Sequence, residues 1–246
     1  MGLYGKLDAV PLNYSLALVN GLHAAGFEHG TGIRGGRFEG RNATANNLAI
    51  NGSIQFDADP FLFQVSGYYG GSVGVGSATA DSVQLPSGPF GTPVALGEAD
   101  MQFASHGFQL KILGTFISIP DAAAINRAFV NNTPERAFGA YVEAGYDIFS
   151  TFHGTGNQQL VAFARYETLD LNSALPSNGI PDGTLRQNHF VVGLSYLPDP
   201  GIVLKADAHF IHTGGQNPEL IYPSDPAGSS SAQNNSLINI GIGFAF

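Results

Sequence analysis

Large apolar residues alternate with small or polar ones along much of the chain, and the C-terminal segment 236–246 (SLINIGIGFAF) shows this most clearly. Side chains of an extended strand point to opposite faces in turn, so the large apolar residues of this segment share one face. That face suits lipid, and the opposite face, with Asn, Gly and Ala, suits water. The residues of the apolar face are Ile238, Ile240, Ile242, Phe244 and Phe246.

The same alternation, read together with turn residues, predicts about eleven strands. They fall at 2–7, 11–20, 45–57, 61–72, 98–105, 107–118, 137–148, 159–169, 187–197, 201–212 and 235–246. The connections alternate strictly: short ones lie near 8–10, 57–60, 105–107, 150–157 and 198–201, and long ones near 21–44, 73–97, 119–136, 170–186 and 213–234. Outer-membrane barrels have short turns on one rim and long loops on the other, whereas a soluble β-sandwich gives no reason for this alternation.

Charged residues inside the strands follow the same division of faces. Three strands carry two charges each, and the two share one parity while the other parity holds the larger apolar residues. The pairs are Glu143 with Asp147, Arg165 with Glu167, and Lys205 with Asp207. Only 12% of residues are charged, about half the usual share. These observations predict an all-β fold, an antiparallel transmembrane β-barrel, with residues 1–246 as a single domain.

The barrel prediction also implies partners and a location. If Phe246 lies at the periplasmic rim, counting back over the predicted strands places the start of the first strand on the extracellular side. Complete bacterial barrels start in the periplasm. We therefore expect N-terminal strands to be lacking. The expected location is the outer membrane of a Gram-negative bacterium, in contact with its lipid and lipopolysaccharide. A net charge of −9 makes nucleic acid an unexpected partner, since phosphate binding depends on Lys and Arg.

No motif in the sequence points to covalent chemistry. The chain has no Cys, and His209 and His212, three apart on a strand, point to opposite faces. No nucleophile elbow or zinc-binding H-E-x-x-H motif occurs. We therefore predict no metal, no cofactor and no enzymatic activity. An outer-membrane hydrolase is the alternative, since its triad need not be local in sequence.

Three of the chain's seven arginines, Arg34, Arg37 and Arg41, stand within one long loop. In a porin such a loop can fold into the barrel and form a positive constriction. The alternative is a solvated loop whose charge is partly offset by Glu28 and Glu39. The residues predicted to line the lumen are Lys111, Glu143, Arg165, Glu167, Lys205 and Asp207.

The chain resembles the bacterial outer-membrane porins of the phosphate-selective porin family. The resemblance rests on 13–21 (NYSLALVNG), 32–37 (GIRGGR), 140–147 (AYVEAGYD), 163–170 (FARYETLD), 192–200 (VGLSYLPDP) and 203–207 (VLKAD). It implies about eleven strands of a sixteen-stranded, trimeric barrel, with this chain as its C-terminal two-thirds. It does not imply phosphate as the solute, because the chain has only three lysines and its predicted lumen is mixed in charge.

We therefore predict an outer-membrane porin that allows passive diffusion of small hydrophilic solutes or ions through a charged lumen. The alternative is a plugged outer-membrane barrel that binds a ligand or an adhesion partner through its extracellular loops. The resemblance to barrel proteins implies that Ile242, Phe244 and Phe246 form the signal read by the barrel-assembly machinery.

Overall fold

The computed structural model describes residues 1–7, 9–28, 30–40, 43–152, 156–220 and 233–244. Arg41 and Phe246, which were predicted to belong to the constriction and to the assembly signal, lie outside the described residues. The described part of the chain is an all-β structure with few helices.

Eleven strands form one antiparallel sheet in which each strand pairs with its neighbours in sequence. This order confirms the prediction of an antiparallel all-β fold with about eleven strands. The strands are β1 Gly2–Leu7, β2 Leu12–Asn20, β3 Leu48–Ala58, β4 Phe61–Gly71, β5 Pro93–Ser105, β6 Phe108–Ser118, β7 Arg136–Asp147, β8 Gln159–Ala174, β9 Arg186–Asp199, β10 Ile202–Thr213 and β11 Asn234–Phe244.

Within the part of the chain that the structure describes, the sheet has no second sheet packed on it and is not closed. Among the described residues β1 pairs with β2 alone and β11 with β10 alone, so two strand edges are left. A soluble sandwich requires two sheets face to face, so this alternative does not fit. No described helix is long and apolar enough to cross a membrane.

Two strands extend further than predicted. β5 begins at Pro93 rather than near residue 98, and β8 continues to Ala174 rather than ending near 169. The alternation of apolar and polar residues weakens in both extensions, and backbone pairing continues without it. As a result, the connection 175–185 on the long-loop side and the connection 148–158 on the short-turn side are equal in length.

The short turns hold neighbouring strands in register. The β5–β6 turn consists of His106 and Gly107, which both have positive φ, at 50° and 82°. Hairpin turns of this kind match the right-handed twist of the strands that they join. After β7, the carboxylate of Asp147 accepts backbone N–H bonds from Phe149 at 3.1 Å and from Leu160 at 2.9 Å. Asp147 shares its parity with Glu143, but these bonds make it a cap of the turn.

The register confirms that the two parities form two different faces of the sheet. On the apolar face, Phe108 pairs with Tyr146, Ile112 with Val142, and Phe116 with Phe138. On the other face, which we call the polar face, the directly paired residues include Lys111 with Glu143 and Glu143 with Arg165.

Three long connections pack together at one end of the polar face and form a structure that we call the loop cap. It comprises residues 21–28, 30–40, 43–47, 72–92 and 119–135, including α1 Ser77–Ser82, α2 Ala122–Phe129 and the 3-10 segments Ala24–Gly26 and Gly32–Gly36. Two further 3-10 segments, Ile148–Thr151 and Gly183–Leu185, lie outside it. The fully buried apolar residues of the described chain concentrate here, including Phe27, Val73, Ile119 and Ile125. The hydrophobic core is therefore made by loops, not by stacked sheets.

Candidate functional site

All six residues predicted to line the lumen lie on the polar face of strands β6, β7, β8 and β10. The structure brings them together in two groups, which we call the charged wall. One group is Lys111, Glu143, Arg165 and Glu167, and the other is Lys205 and Asp207.

Glu143 is the centre of the first group. Its Oε2 accepts hydrogen bonds from Arg165 Nε at 3.0 Å and Nη2 at 2.8 Å, and its Oε1 lies 3.4 Å from Lys111 Nζ. Arg165 also lies 3.7 Å from a carboxylate oxygen of Glu167 and stacks over the ring of Tyr141, 4.8 Å from its centroid. Because Arg165 has three partners and Lys111 shares Glu143 with it, the two cations are held in place across three strands.

The second group lies across β8, β10 and β11. Lys205 Nζ is 3.8 Å from Asp207 Oδ2 and 4.7 Å from the centroid of the Phe163 ring. Asn239 Nδ2 donates to Asp207 Oδ1 at 2.9 Å. The charges in this group therefore also have partners, and they leave both signs on one surface.

Apolar side chains of one face are more exposed than the carboxylates of the other, which is the reverse of a water-soluble sheet. The side chains of Glu143 and Asp207 are only 15% and 10% exposed, whereas those of their partners Lys111 and Lys205 are 45% and 44% exposed. On the opposite face Ile54 and Val65, which pair directly, are 56% and 60% exposed. Large apolar residues left in the open beside sheltered charges are expected where the apolar face contacts lipid.

The structure adds a histidine pair that was not predicted from the sequence. His189 Nδ1 lies 2.8 Å from His209 Nε2, and His189 Nε2 lies 3.0 Å from Gln187 Oε1. Since one ring nitrogen must accept the bond between the rings, at least one of the two histidines is neutral. The shared parity of the two residues across the β9–β10 hairpin is the signal that could have found the pair.

Asn47 fastens the loop cap to the strand ends. It is 1% exposed, and its amide group donates to the carbonyls of Leu22 at 3.1 Å and Gly71 at 2.5 Å while it accepts from Gly74 N–H at 2.8 Å. Glycine is needed where the loops touch: a Cβ on Gly36 would collide with the Phe27 ring. These contacts fix the loop that carries Arg34 and Arg37.

His23 lies inside the loop cap between two aromatic rings. Its ring stacks on Phe38 at a centroid distance of 5.8 Å and meets Phe129 edge-on at 6.3 Å. Its backbone N–H donates to Gly36 O at 2.9 Å. Burial lowers the pKa of His23 from its ordinary value, because the charged imidazolium loses hydration there.

Arg34 and Arg37 are not part of the charged wall. Both are exposed, and they border a cavity of about 500 Å³ between the loop cap and the polar face. Neither makes an ion pair or a side-chain hydrogen bond with any described residue. The cavity walls are apolar and include Leu22, Ile33, Tyr68, Leu96, Ile117 and Leu171.

Ile242 and Phe244, the described members of the predicted assembly signal, lie on the apolar face of β11. They pair with Leu204 and Ile202 and are 69% and 71% exposed. Within the described ranges no group of three or more His, Asp or Glu side chains is placed to hold a metal ion. Fold and site thus define an all-β protein with an exposed apolar face and a sheltered, charged face.

No family model matches the chain. An uncharacterized protein of Aquifex aeolicus (strain VF5) is 26% identical over 219 residues, which is 84% of this chain and 47% of that protein. The chain therefore spans about half the length of this relative. Among solved structures, LpxR from Salmonella typhimurium is similar at 11% identity with a TM-score of 0.35, over 100% of this chain and 87% of that chain.

The comparison with LpxR corrects the prediction that the chain is not an enzyme. LpxR is an outer-membrane β-barrel enzyme. At this TM-score the likeness assigns no activity to the present chain. The all-β fold and its apolar face fit an outer-membrane location.

Proposed function

We propose that this chain is part of an outer-membrane porin that lets small hydrophilic solutes or ions diffuse passively along its polar face. The observation that carries the proposal is the reversed exposure of the two faces. Apolar side chains such as Val65, 60% exposed, require lipid, and the mixed charges around Glu143 require water. A sheet with both properties separates a membrane from an aqueous path.

Dimensions of the apolar face support a membrane-spanning sheet. On β6 the outward aromatics Phe108 and Phe116 stand at the two ends, and Tyr146 and Phe138 stand beside them on β7. Eight residues of strand span roughly 27 Å. A tilt of about 40° reduces this to about 21 Å across the membrane, near the apolar band height of known barrels. The residues between the two aromatic levels are apolar or small.

A closed barrel is part of the same proposal. Unpaired backbone groups at the edges of β1 and β11 are not tolerated in hydrocarbon, so in a membrane both edges need strand partners. The resemblance to the phosphate-selective porin family supplies the rest: sixteen strands, a homotrimer, contact with lipid and lipopolysaccharide, and an assembly signal that includes Ile242 and Phe244. The solute is left open, because the charged wall mixes both signs.

The plugged, ligand-binding barrel is a second candidate, and the loop cap favours it. Loops that pack over one end of the polar face, with Phe27 and Ile125 fully buried between them, narrow any path along that face. The charged wall beyond the cap favours diffusion instead.

Single-channel conductance of the full-length protein in a planar bilayer distinguishes the two candidates. Discrete current steps, with a reversal potential in a salt gradient, are expected for the porin. Insertion without current steps would overturn it and support the plugged barrel.

The constriction role of Arg34 and Arg37 has its own test in the same bilayer. Replacing both with Ala is expected to raise conductance and lower any anion preference, because two cations leave the path. Arg186→Ala, on the apolar face of β9, is the matched control and should change neither. Unchanged conductance and selectivity in the double variant would refute the constriction.

A further inference from the structure

We propose that the cavity beneath the loop cap is a binding site for a medium-chain fatty carboxylate. Its volume of about 500 Å³ lies within the range of small-molecule sites. Its walls come from two sources, the cap residues Leu22 and Ile33 and the strand residues Leu96 and Ile117. An alkyl chain would fit between the apolar walls that the cap and the sheet provide.

The charges at the border of the cavity select an anion as the head group. Arg34 and Arg37 both border it, and among the described residues no acidic side chain does. Since neither guanidinium is engaged by a described residue, both are free to pair with a carboxylate, and guanidinium–carboxylate pairs are among the stronger hydrogen bonds in proteins. Two cations beside an apolar chamber match an amphipathic anion better than a neutral hydrophobe.

This inference goes beyond passive diffusion and does not depend on it. The site needs the loop cap and the ends of β4 to β8, but it needs neither an open pore nor a closed barrel. A protein that binds the carboxylate without conducting would support this inference and overturn the porin proposal. A protein that conducts ions without binding the carboxylate would support the porin proposal and overturn this inference.

Binding can be measured with an introduced tryptophan, read against the unsubstituted protein, since residues 1–246 contain none. Tyr68→Trp places a fluorophore on the cavity wall, and Leu62→Trp places a control on the same face of β4 outside the cavity. The full-length protein is held in a maltoside detergent. Brominated decanoate should quench the fluorescence of Tyr68→Trp saturably, and at much lower concentrations than it quenches that of Leu62→Trp. Equal quenching of the two reporters would mean partition into detergent and would overturn the site.

Chain length gives a second readout. Each additional methylene buried in an apolar site should tighten binding about fourfold, until the chain fills the cavity. Partition into detergent continues to strengthen with length. We therefore expect affinity at Tyr68→Trp to reach a plateau with increasing chain length. An unbroken increase through long chains would contradict a cavity of this size.

The head-group contact is tested by comparing brominated decanoate with brominated decanol on the Tyr68→Trp background. Arg34→Gln with Arg37→Gln should weaken decanoate binding about tenfold and leave decanol binding unchanged. Arg127→Gln, an exposed arginine of α2 that does not border the cavity, should alter neither. Unaltered decanoate binding in the double variant, or an equal loss for both ligands, would overturn the assigned role of the two arginines.

Discussion

Glu143 shows how single residues order the polar face. Its carboxylate receives two hydrogen bonds from Arg165 and the ammonium group of Lys111, and only 15% of its side chain is exposed. Without this carboxylate, the two cations would face each other across β7, Lys111 on β6 and Arg165 on β8. The positive charges of Lys111 and Arg165 would then repel each other. Glu143 therefore links β6, β7 and β8 in addition to lining the polar face.

We expect Glu143→Gln to lower the free energy of unfolding by about 1–2 kcal/mol, because charge-assisted bonds are lost where solvent screens only partly. The measurement is urea unfolding of the protein in lipid vesicles. Glu98→Gln is the matched control: it lies on the same face, and its carboxylate accepts one long bond of 3.4 Å from Ser66. An equal loss in the two variants would contradict the central role of Glu143.

His23 makes the loop cap sensitive to pH, since burial lowers its pKa from the ordinary value of 6.5. Below that value the unfolded cap takes up a proton more readily than the folded cap does. The stability contributed by neutral His23 is therefore complete above about pH 6.5 and is lost as the pH falls towards the lowered pKa.

We expect the amide groups of the loop cap to exchange hydrogen faster at pH 5.5 than at pH 7.5, after correction for the intrinsic effect of pH on exchange. His23→Phe keeps the stacking on Phe38 and removes the titration, so it should reduce this difference. The same acceleration in the variant would show that another group is responsible.

The residues of the charged wall could be predicted from the sequence, and their partners could not. Shared parity within a strand was enough to place Arg165 and Glu167 on the polar face. Which cation meets which carboxylate depends on the register between strands, and that is set by turns such as His106–Gly107. The same limit applies to His189 and His209, which are twenty residues apart and in contact.

At the scale of the element, the two faces of a single strand differ in their surroundings, as expected for a strand in a membrane. β6 places Ile112 outward at 41% exposure, while its neighbour Leu113 points to the polar face and pairs with Asp100 and Tyr141. One position along the strand changes the surroundings from apolar to polar. Substitutions at these two adjacent residues therefore test the orientation of the whole strand.

We expect Ile112→Arg to impair insertion into lipid vesicles, at a cost of about 2–4 kcal/mol for arginine near the bilayer centre. Leu113→Arg, one residue further, should insert normally because its charge faces water and Asp100. The fraction of protein that becomes resistant to protease in the vesicles measures insertion. Equal insertion of both variants would contradict the assignment of faces.

All eleven strands could be predicted because a period of two is a local signal. The extensions of β5 and β8 were not predicted, because apolar residues such as Leu96 and Leu171 occupy the polar face there. These residues line the cavity beneath the loop cap. The pattern therefore fails where a loop, and not water, covers the polar face.

At the scale of the molecule, the loop cap is the feature that the sequence concealed. Its core joins residues from three connections, such as Phe27, Leu85 and Ile125, and contacts over such separations leave no periodic signal. A glycine-rich loop around Arg34 was predicted to be either a constriction or a solvated segment. The structure shows that this loop also forms one wall of an apolar cavity.

Under the proposed porin function, the loop cap should control the current, because it covers one end of the polar face. Phe27 is 1% exposed in its core, and Phe27→Ala should destabilise the cap by about 3–5 kcal/mol. The sheet should be preserved, since Phe27 belongs to no strand. We expect larger and noisier current steps in a planar bilayer and faster hydrogen exchange confined to the cap. Phe152→Ala, at a position that is 60% exposed on the short-turn side, is the control. An opened cap with unchanged current would show that solutes do not pass beneath it.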